Sequence, residues 1–217
     1  MSEDVKVSWA DDEVAYNVFR SKYAKDDAET PAEFCKRVAS ICEESIRYKV
    51  ENMLASGTFF FGGRTMYLAG RKEEINAAGS NCYVVPIEDD TIEAIYEANK
   101  HMARIFSKGG GVGTDISILR PRNAKVNNAA NTSTGAVSFL DLFNETGNVI
   151  SQHGRRGATM VSIDCSHPDI EELLDIKMKG DRLKSMNVSI KFTDEFMTAV
   201  DCDKPYKLHF DVKATGE

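Results

Sequence analysis

The stretch SKGGGVGTDIS, Ser107 to Ser117, decides how the middle of the chain is read. Four of its first seven residues are glycine, and Lys108 stands beside them. A G-x-x-x-x-G-K-[ST] phosphate loop places its lysine after the glycines, whereas Lys108 precedes them. A dinucleotide fingerprint runs strand, glycines, helix, so that a helix N-terminus faces the phosphate. Here the order is helix, glycines, strand, which sets the glycines at the negative end of the helix. Both phosphate readings fail. Two others stand: a helix cap running into a strand, and a close backbone approach to a ligand, because three consecutive glycines exceed what one cap requires.

Outward from this stretch, helices and strands alternate. Residues 1–57 read as helical. TPAEF at Thr30–Phe34 carries a capping box, with Thr30 as cap, Pro31 in the first turn and Glu33 closing the box. Phe34, Val38, Ile41, Ile46, Val50 and Met53 recur near helical spacing in one run that Gly57 ends, and Cys35 and Cys42 lie in it as structural thiols. The barrel part is taken from residue 58, and from Gly62 the texture changes to short strands, glycines and polar loops. NCYVVP (Asn81–Pro86) reads as a buried strand, and Asp89–Lys108 as a helix capped by Asp90 or Thr91, with Ile92, Ile95, Met102 and Phe106 on one face. Gly113–Pro121 reads as a strand, Arg122–Gly135 as a long polar loop and Ala136–Ile150 as a helix. A basic glycine loop, Ser151–Ala158, precedes the strand TMVSIDC. His167–Lys179 is then a helix, Ser185–Phe192 a strand, and Thr193 the cap of a last short helix. Strands joined by crossover helices make a largely parallel α/β sheet or barrel.

The 217 residues carry a net charge of −7, which argues against general nucleic-acid binding. No apolar run approaches the roughly 18 residues of a membrane span. The acidic start, MSEDVKVSWADDE, lacks a signal core and places the chain in the cytoplasm. The five cysteines form no C-x-x-C pair and no zinc spacing, so neither a metal nor a disulfide framework is expected. Cys82, at the front of a strand beside small polar residues, is either a redox thiol or a core thiol. Arg155 and Arg156, between glycines, either reach one anion or lie in a solvated turn. Arg120, Arg122 and Lys125 add a second basic cluster at the mouth of the long loop, and the two loops together point to a nucleotide phosphate.

Taken in order, GGRTMYLAG, SNCYVVP, DDTIEAIYEA, KGGGVGTDISILRP, GAVSFLDLFN, QHGRRGATMVSID and HPDIEELLDIK resemble the first part of the catalytic subunit of ribonucleotide reductase. The likeness runs from about residue 11 to about residue 200. It is greatest to the adenosylcobalamin-dependent class II enzymes, with class I large subunits next. It implies a ten-stranded α/β barrel after a helical segment, here incomplete. It also implies replacement of the ribose 2′-OH by hydrogen, started by a cysteine thiyl radical and supplied with electrons by two further cysteines that join in a disulfide. By motif, Cys82 matches the first reducing cysteine, and Thr65, Asn81 and Gly111 the substrate-binding positions, so that the glycines bring the chain close to a nucleoside. Asp90, Thr91, Ile92 and Arg120 match the site of a deoxynucleoside triphosphate effector. Ser151, Gln152, Arg155 and Arg156 fall on the loop that relays effector identity to the substrate base. The resemblance further implies a thioredoxin-like reductant and a homodimer through the helices at 90–108 and 136–150.

No NPCGE-like radical-cysteine motif occurs in the 217 residues. The expectation is therefore an N-terminal fragment, inactive by itself and completed by a C-terminal half. The alternatives are a non-catalytic nucleotide-binding regulatory module and a degenerate remnant. An incomplete barrel would also leave an open sheet edge and an uncovered face.

Overall fold

The computed structural model describes residues 6–210 except 72, 76, 78, 128, 151–157, 181, 184 and 185. Packing divides the chain into two units, Met1–Ser80 and Asn81–Glu217.

The first unit holds helices α1 (Glu13–Val18), α2 (Pro31–Ala39), α3 (Glu44–Ala55) and α4 (Gly63–Leu68). The capping box opens α2 as expected: Thr30 Oγ1 accepts the Glu33 N–H at 3.2 Å, and Glu33 Oε2 accepts the Thr30 N–H at 2.8 Å. The single helical run expected up to Gly57 is broken between Ala39 and Glu44. Ile41 and Ile46, which keep helical spacing, are exposed, and Cys42 falls in the break rather than in a helix. The core is Phe19, Phe34, Val38 and Leu54, with Trp9 donating from its indole nitrogen to the Leu54 carbonyl at 2.9 Å. The unit continues past Gly57, where the sequence reading closed it, because Met66 and Ala69 join this core. Arg37 fastens them: its guanidinium donates to the Met66 and Ala69 carbonyls, the Tyr23 carbonyl and both Glu29 carboxylate oxygens. A largely buried charge is tolerable when its donors are satisfied in this way.

In the second unit, strands β1 (Cys82–Val84), β2 (Gly111–Asp115), β3 (Thr159–Asp164) and β4 (Met186–Lys191) form one sheet in the order β1-β2-β3-β4, every pair parallel. Helices α5 (Ile92–Ser107), α6 (Phe139–Val149) and α7 (Ile170–Lys179) make the crossovers, and α8 (Asp194–Asp201) follows β4. Sequential order with a helix between each pair is how the staves of an α/β barrel run. Alternate strand residues point to opposite faces. One face, with Val112, Val161, Ile163 and Met186, packs on Ile95, Met102 and Phe106 of α5, Leu140 and Phe143 of α6, and Leu173 of α7. The other carries Cys82, Val84, Gly111, Gly113, Asp115, Met160, Ser162 and Asp164, and is open enough that Val84 is 84% exposed.

Three expectations change here. NCYVVP is not a buried strand: only Cys82–Val84 pair, Cys82 and Val84 face the open side, and burial begins at Val85. The second strand starts two residues early, taking in Gly111, and ends at Asp115, where Asp115 Oδ1 turns the chain by accepting the Ser117 N–H at 2.8 Å. Ile92 lies off the buried face of α5, which Ala98 completes.

The opening glycines divide their work. Gly109, at φ +76°, donates to the Phe106 carbonyl at 2.8 Å, and Gly110 donates to the Ile105 carbonyl at 3.0 Å. These two bonds are the Schellman ending of α5, so the cap reading is right for them. A Cβ on Gly110 would lie 2.6 Å from Ile105 and 2.8 Å from Tyr83, so the close approach there is to the protein's own side chains. Gly111 is already strand.

Candidate functional site

The start of β1 and the start of β2 lie side by side. Cys82 and Gly111 are register partners, and the Asn81 carbonyl accepts the Gly111 N–H at 2.7 Å. Paired residues in neighbouring strands project to the same face. Cys82, an exposed free thiol, therefore stands on the open face next to a position with no side chain. The result is a thiol beside backbone without a side chain, although a Cβ on Gly111 would already lie 3.3 Å from the Ala158 carbonyl, so the neighbouring strand also favours glycine there. Cys35 is its opposite: fully buried, its thiol is pushed by burial, with the nearby Glu51 adding to it, up to about 12, and it stays protonated at neutral pH.

Past the C-terminal end of β1, Asp90, Thr91 and Arg120 come together. Arg120 Nε donates to Asp90 Oδ2 at 2.5 Å, its Nη2 to the Asp90 carbonyl at 3.2 Å and its Nη1 to the Lys125 carbonyl at 3.0 Å. Three of the five N–H donors of a guanidinium are thus engaged. Thr91, not Asp90, caps α5, its Oγ1 accepting the Ala94 N–H at 3.2 Å. Ile92 is 57% exposed beside them. Residues 90 and 120 are 30 apart in sequence, and the β1–β2 pairing closes that distance.

Two features were not read from the sequence. One lies at the start of α7. The buried Asp169 carboxylate accepts the Arg122 N–H (3.0 and 3.2 Å) and the Ala136 N–H (2.9 Å), so one side chain holds both ends of the polar loop. Asp169 occupies the N-cap position of α7 but makes no cap hydrogen bond with its side chain. The other is a cluster at the C-terminal ends of β2, β3 and β4. Lys191 Nζ lies 2.6 Å from Asp115 Oδ2 and 3.0 Å from Asp164 Oδ1, and Ser162 Oγ donates to Asp115 Oδ2 at 2.7 Å. Burial pushes the Asp115 carboxyl up, but hydrogen bonds from Lys191, Ser117 and Ser162 together outweigh it and hold it at about 2. A Lys or Asp ending a strand gives no sign in sequence that its neighbours end alike.

Of the remaining candidates, Thr65 is half-buried on α4 in the first unit, its carbonyl accepting the Ala69 N–H at 2.9 Å. Ser151, Gln152, Arg155 and Arg156 lie outside the described residues. Among the described residues, no three His, Cys, Asp or Glu side chains converge on a metal position, and no helix is long and apolar enough to cross a membrane.

Comparison with known proteins gives a consistent match. Residues 80–215 fit the family model of the ribonucleotide reductase barrel domain. A vitamin B12-dependent ribonucleoside-diphosphate reductase of Thermoplasma acidophilum is 36% identical over 157 residues, covering 71% of this chain and 20% of that protein. One of the same name from Mycobacterium tuberculosis is 37% identical over 131 residues, 59% of this chain and 19% of its own length. The ribonucleoside-diphosphate reductase large chain of Neurospora crassa is 29% identical over 183 residues, 80% of this chain and 19% of that one. The chain thus spans about a fifth of the length of the curated relatives it matches. Among solved structures, the class Id ribonucleotide reductase alpha subunit of Actinobacillus ureae superposes with a TM-score of 0.77 at 22% identity, over 94% of this chain and 37% of that one, which establishes the shared fold. The four parallel strands in sequential order are the first part of that barrel, and the chain belongs to the ribonucleotide reductase family.

Proposed function

We propose that this chain forms the N-terminal part of a catalytic subunit that reduces ribonucleotides to deoxyribonucleotides for DNA synthesis. The observation that carries the reading is the pairing of exposed Cys82 with Gly111 on the open sheet face. In this reading the substrate ribose lies over the Gly111 backbone with Asn81 beside it, and Thr65 is a substrate-binding residue by its motif alone. Cys82 is one of two thiols that give up two electrons, join in a disulfide and release the 2′-oxygen as water. A thioredoxin-like dithiol then restores both thiols by exchange, which requires the access Cys82 has. Asp90, Thr91, Ile92 and Arg120 bind a deoxynucleoside triphosphate, and residues 151–157, with Ser151, Gln152, Arg155 and Arg156, pass its identity to the substrate base. The close approach of Arg120 to Asp90 supports a single effector corner. The exposed Ile92, Tyr96 and Val149 on α5 and α6 support a homodimer through those helices.

Adenosylcobalamin, which the names of the B12-dependent relatives point to, supplies radical initiation in the completed enzyme. Among the described residues no group of His, Cys, Asp or Glu converges on a metal position, so none of them is assigned to hold the corrin. The 217 residues contain no NPCGE-like stretch, and the chain alone is proposed to be inactive. The test is an assay of the purified chain with adenosylcobalamin, a dithiol and each ribonucleoside diphosphate, alone and with a segment carrying the missing cysteines. Turnover only in the second case is expected. Turnover by the chain alone, above that of a Cys82→Ser control, would refute the reading.

A further inference from the structure

We propose that Asp169 is a positioning residue for the effector corner: from the start of α7 it fixes the loop 122–135 and, through it, aims Arg120 at an anionic nucleotide. The inference rests on the reading of Arg120 as an effector contact. Arg120 sits between two clamped neighbours. On one side, the Leu119 carbonyl is held at 2.8 Å by His167 Nε2. The Asp169 N–H donates to His167 Nδ1 at 3.0 Å, so the ring hydrogen is on Nε2 and points at Leu119. On the other side, the Arg122 N–H is held by Asp169 and the Arg122 guanidinium by Glu172, at 2.9 and 2.6 Å. The far end of the loop returns to the same carboxylate through the Ala136 N–H. At Gly135, φ is +91° and a Cβ would fall 2.6 Å from Asp169 Oδ2, so the backbone is pressed against the carboxylate where no other residue fits.

This arrangement serves the loop and not the helix. An aspartate at an N-cap ordinarily accepts from its own helix, and Asp169 does not. His167, Asp169 and Glu172 all belong to one short stretch, so a shift of the start of α7 moves both flanks of Arg120 together. Between these clamps the loop folds back on itself, with the Asn123 N–H donating to the Ser133 carbonyl at 2.9 Å and the Ser133 N–H to the Ala124 carbonyl at 2.8 Å, so the clamp at its base is carried through the loop as a unit.

The experiment uses the full chain with Asp169→Asn, which keeps the shape but sets an amide N–H against one of the two backbone donors. Hydrogen exchange without ligand is followed at Arg122 and Ala136, and binding of TTP, dGTP and dATP is measured by calorimetry, with Arg120→Ala and the double variant alongside. The expected result is exchange about tenfold faster in the loop, unchanged exchange in the sheet, and nucleotide affinity about tenfold weaker. Asp169→Asn should add nothing further in the Arg120→Ala background, a non-additivity that a merely structural role would not produce. Unchanged exchange at Arg122 and Ala136 would overturn the proposal, as would additive losses of affinity. Faster loop exchange in the variant of a wild type that binds no nucleotide would uphold the clamp and instead remove the effector reading.

Discussion

Cys82 and Gly111 are register partners at the first residues of two neighbouring parallel strands, with the thiol on the open face of the sheet and no side chain beside it. Exposure sorts the five thiols in a way that a reagent can count. Cys82 and Cys202 are exposed, Cys42 is half-buried, and Cys35 and Cys165 are buried. Ellman's reagent on the native chain should therefore find two fast thiols and a slower third, the last two reacting only in denaturant. Cys82→Ser should remove one fast thiol. Loss of a slow thiol instead would mean that Cys82 is packed.

Gly110→Ala forces a methyl group onto Ile105 and Tyr83, at 2.6 and 2.8 Å. It should destabilise the chain by about 1–3 kcal/mol in urea unfolding. Gly113→Ala meets nothing closer than the Tyr83 carbonyl at 4.0 Å and should stay within about 0.5 kcal/mol of wild type. Equal costs would show that the contacts with Ile105 and Tyr83 are not what requires glycine at position 110.

The Asp115 carboxyl is held at about 2 against an ordinary 3.8. A depressed folded-state value contributes stability that is fully present above the unfolded value and is lost as pH falls toward the folded one. Asp115→Asn should therefore be less stable than wild type at neutral pH. The gap should narrow as pH falls from the ordinary value of 3.8 toward about 2. A gap that is constant with pH would mean that the loss is one of packing.

Arg120→Ala removes the partner of a carboxylate that is mostly buried. It should cost about 1–3 kcal/mol of stability and weaken binding of a deoxynucleoside triphosphate. Unaltered nucleotide binding would leave the arginine a purely structural tie.

Features that depend on local chemistry were legible in the sequence. The caps at Thr30, Thr91 and Thr193 form with the expected side-chain bonds, because a cap is a contact over three residues. The parallel sheet followed from strands alternating with amphipathic helices, and the order of motifs pointed to the family. Spacing misled where it was read without its surroundings. Ile41 and Ile46 keep a helical period across a break and lie exposed, and Val84, read as core, faces the open side of the sheet. The contacts of Arg120 with Asp90 and of Asp169 with Arg122 and Ala136 join residues 30 to 47 apart. No periodicity connects such pairs, and Asp169 in sequence is indistinguishable from a helix cap.

The most direct test of Cys82 as the redox thiol is multiple turnover in the completed enzyme. The chain is joined to the remainder of its barrel and supplied with adenosylcobalamin, a thioredoxin-like dithiol and a ribonucleoside diphosphate, with and without Cys82→Ser. A hydroxyl can neither enter a disulfide nor be re-reduced, so the variant should bind substrate and yield no more than one product per site. Sustained turnover by Cys82→Ser at the wild-type rate would contradict the assignment and return Cys82 to an ordinary surface residue.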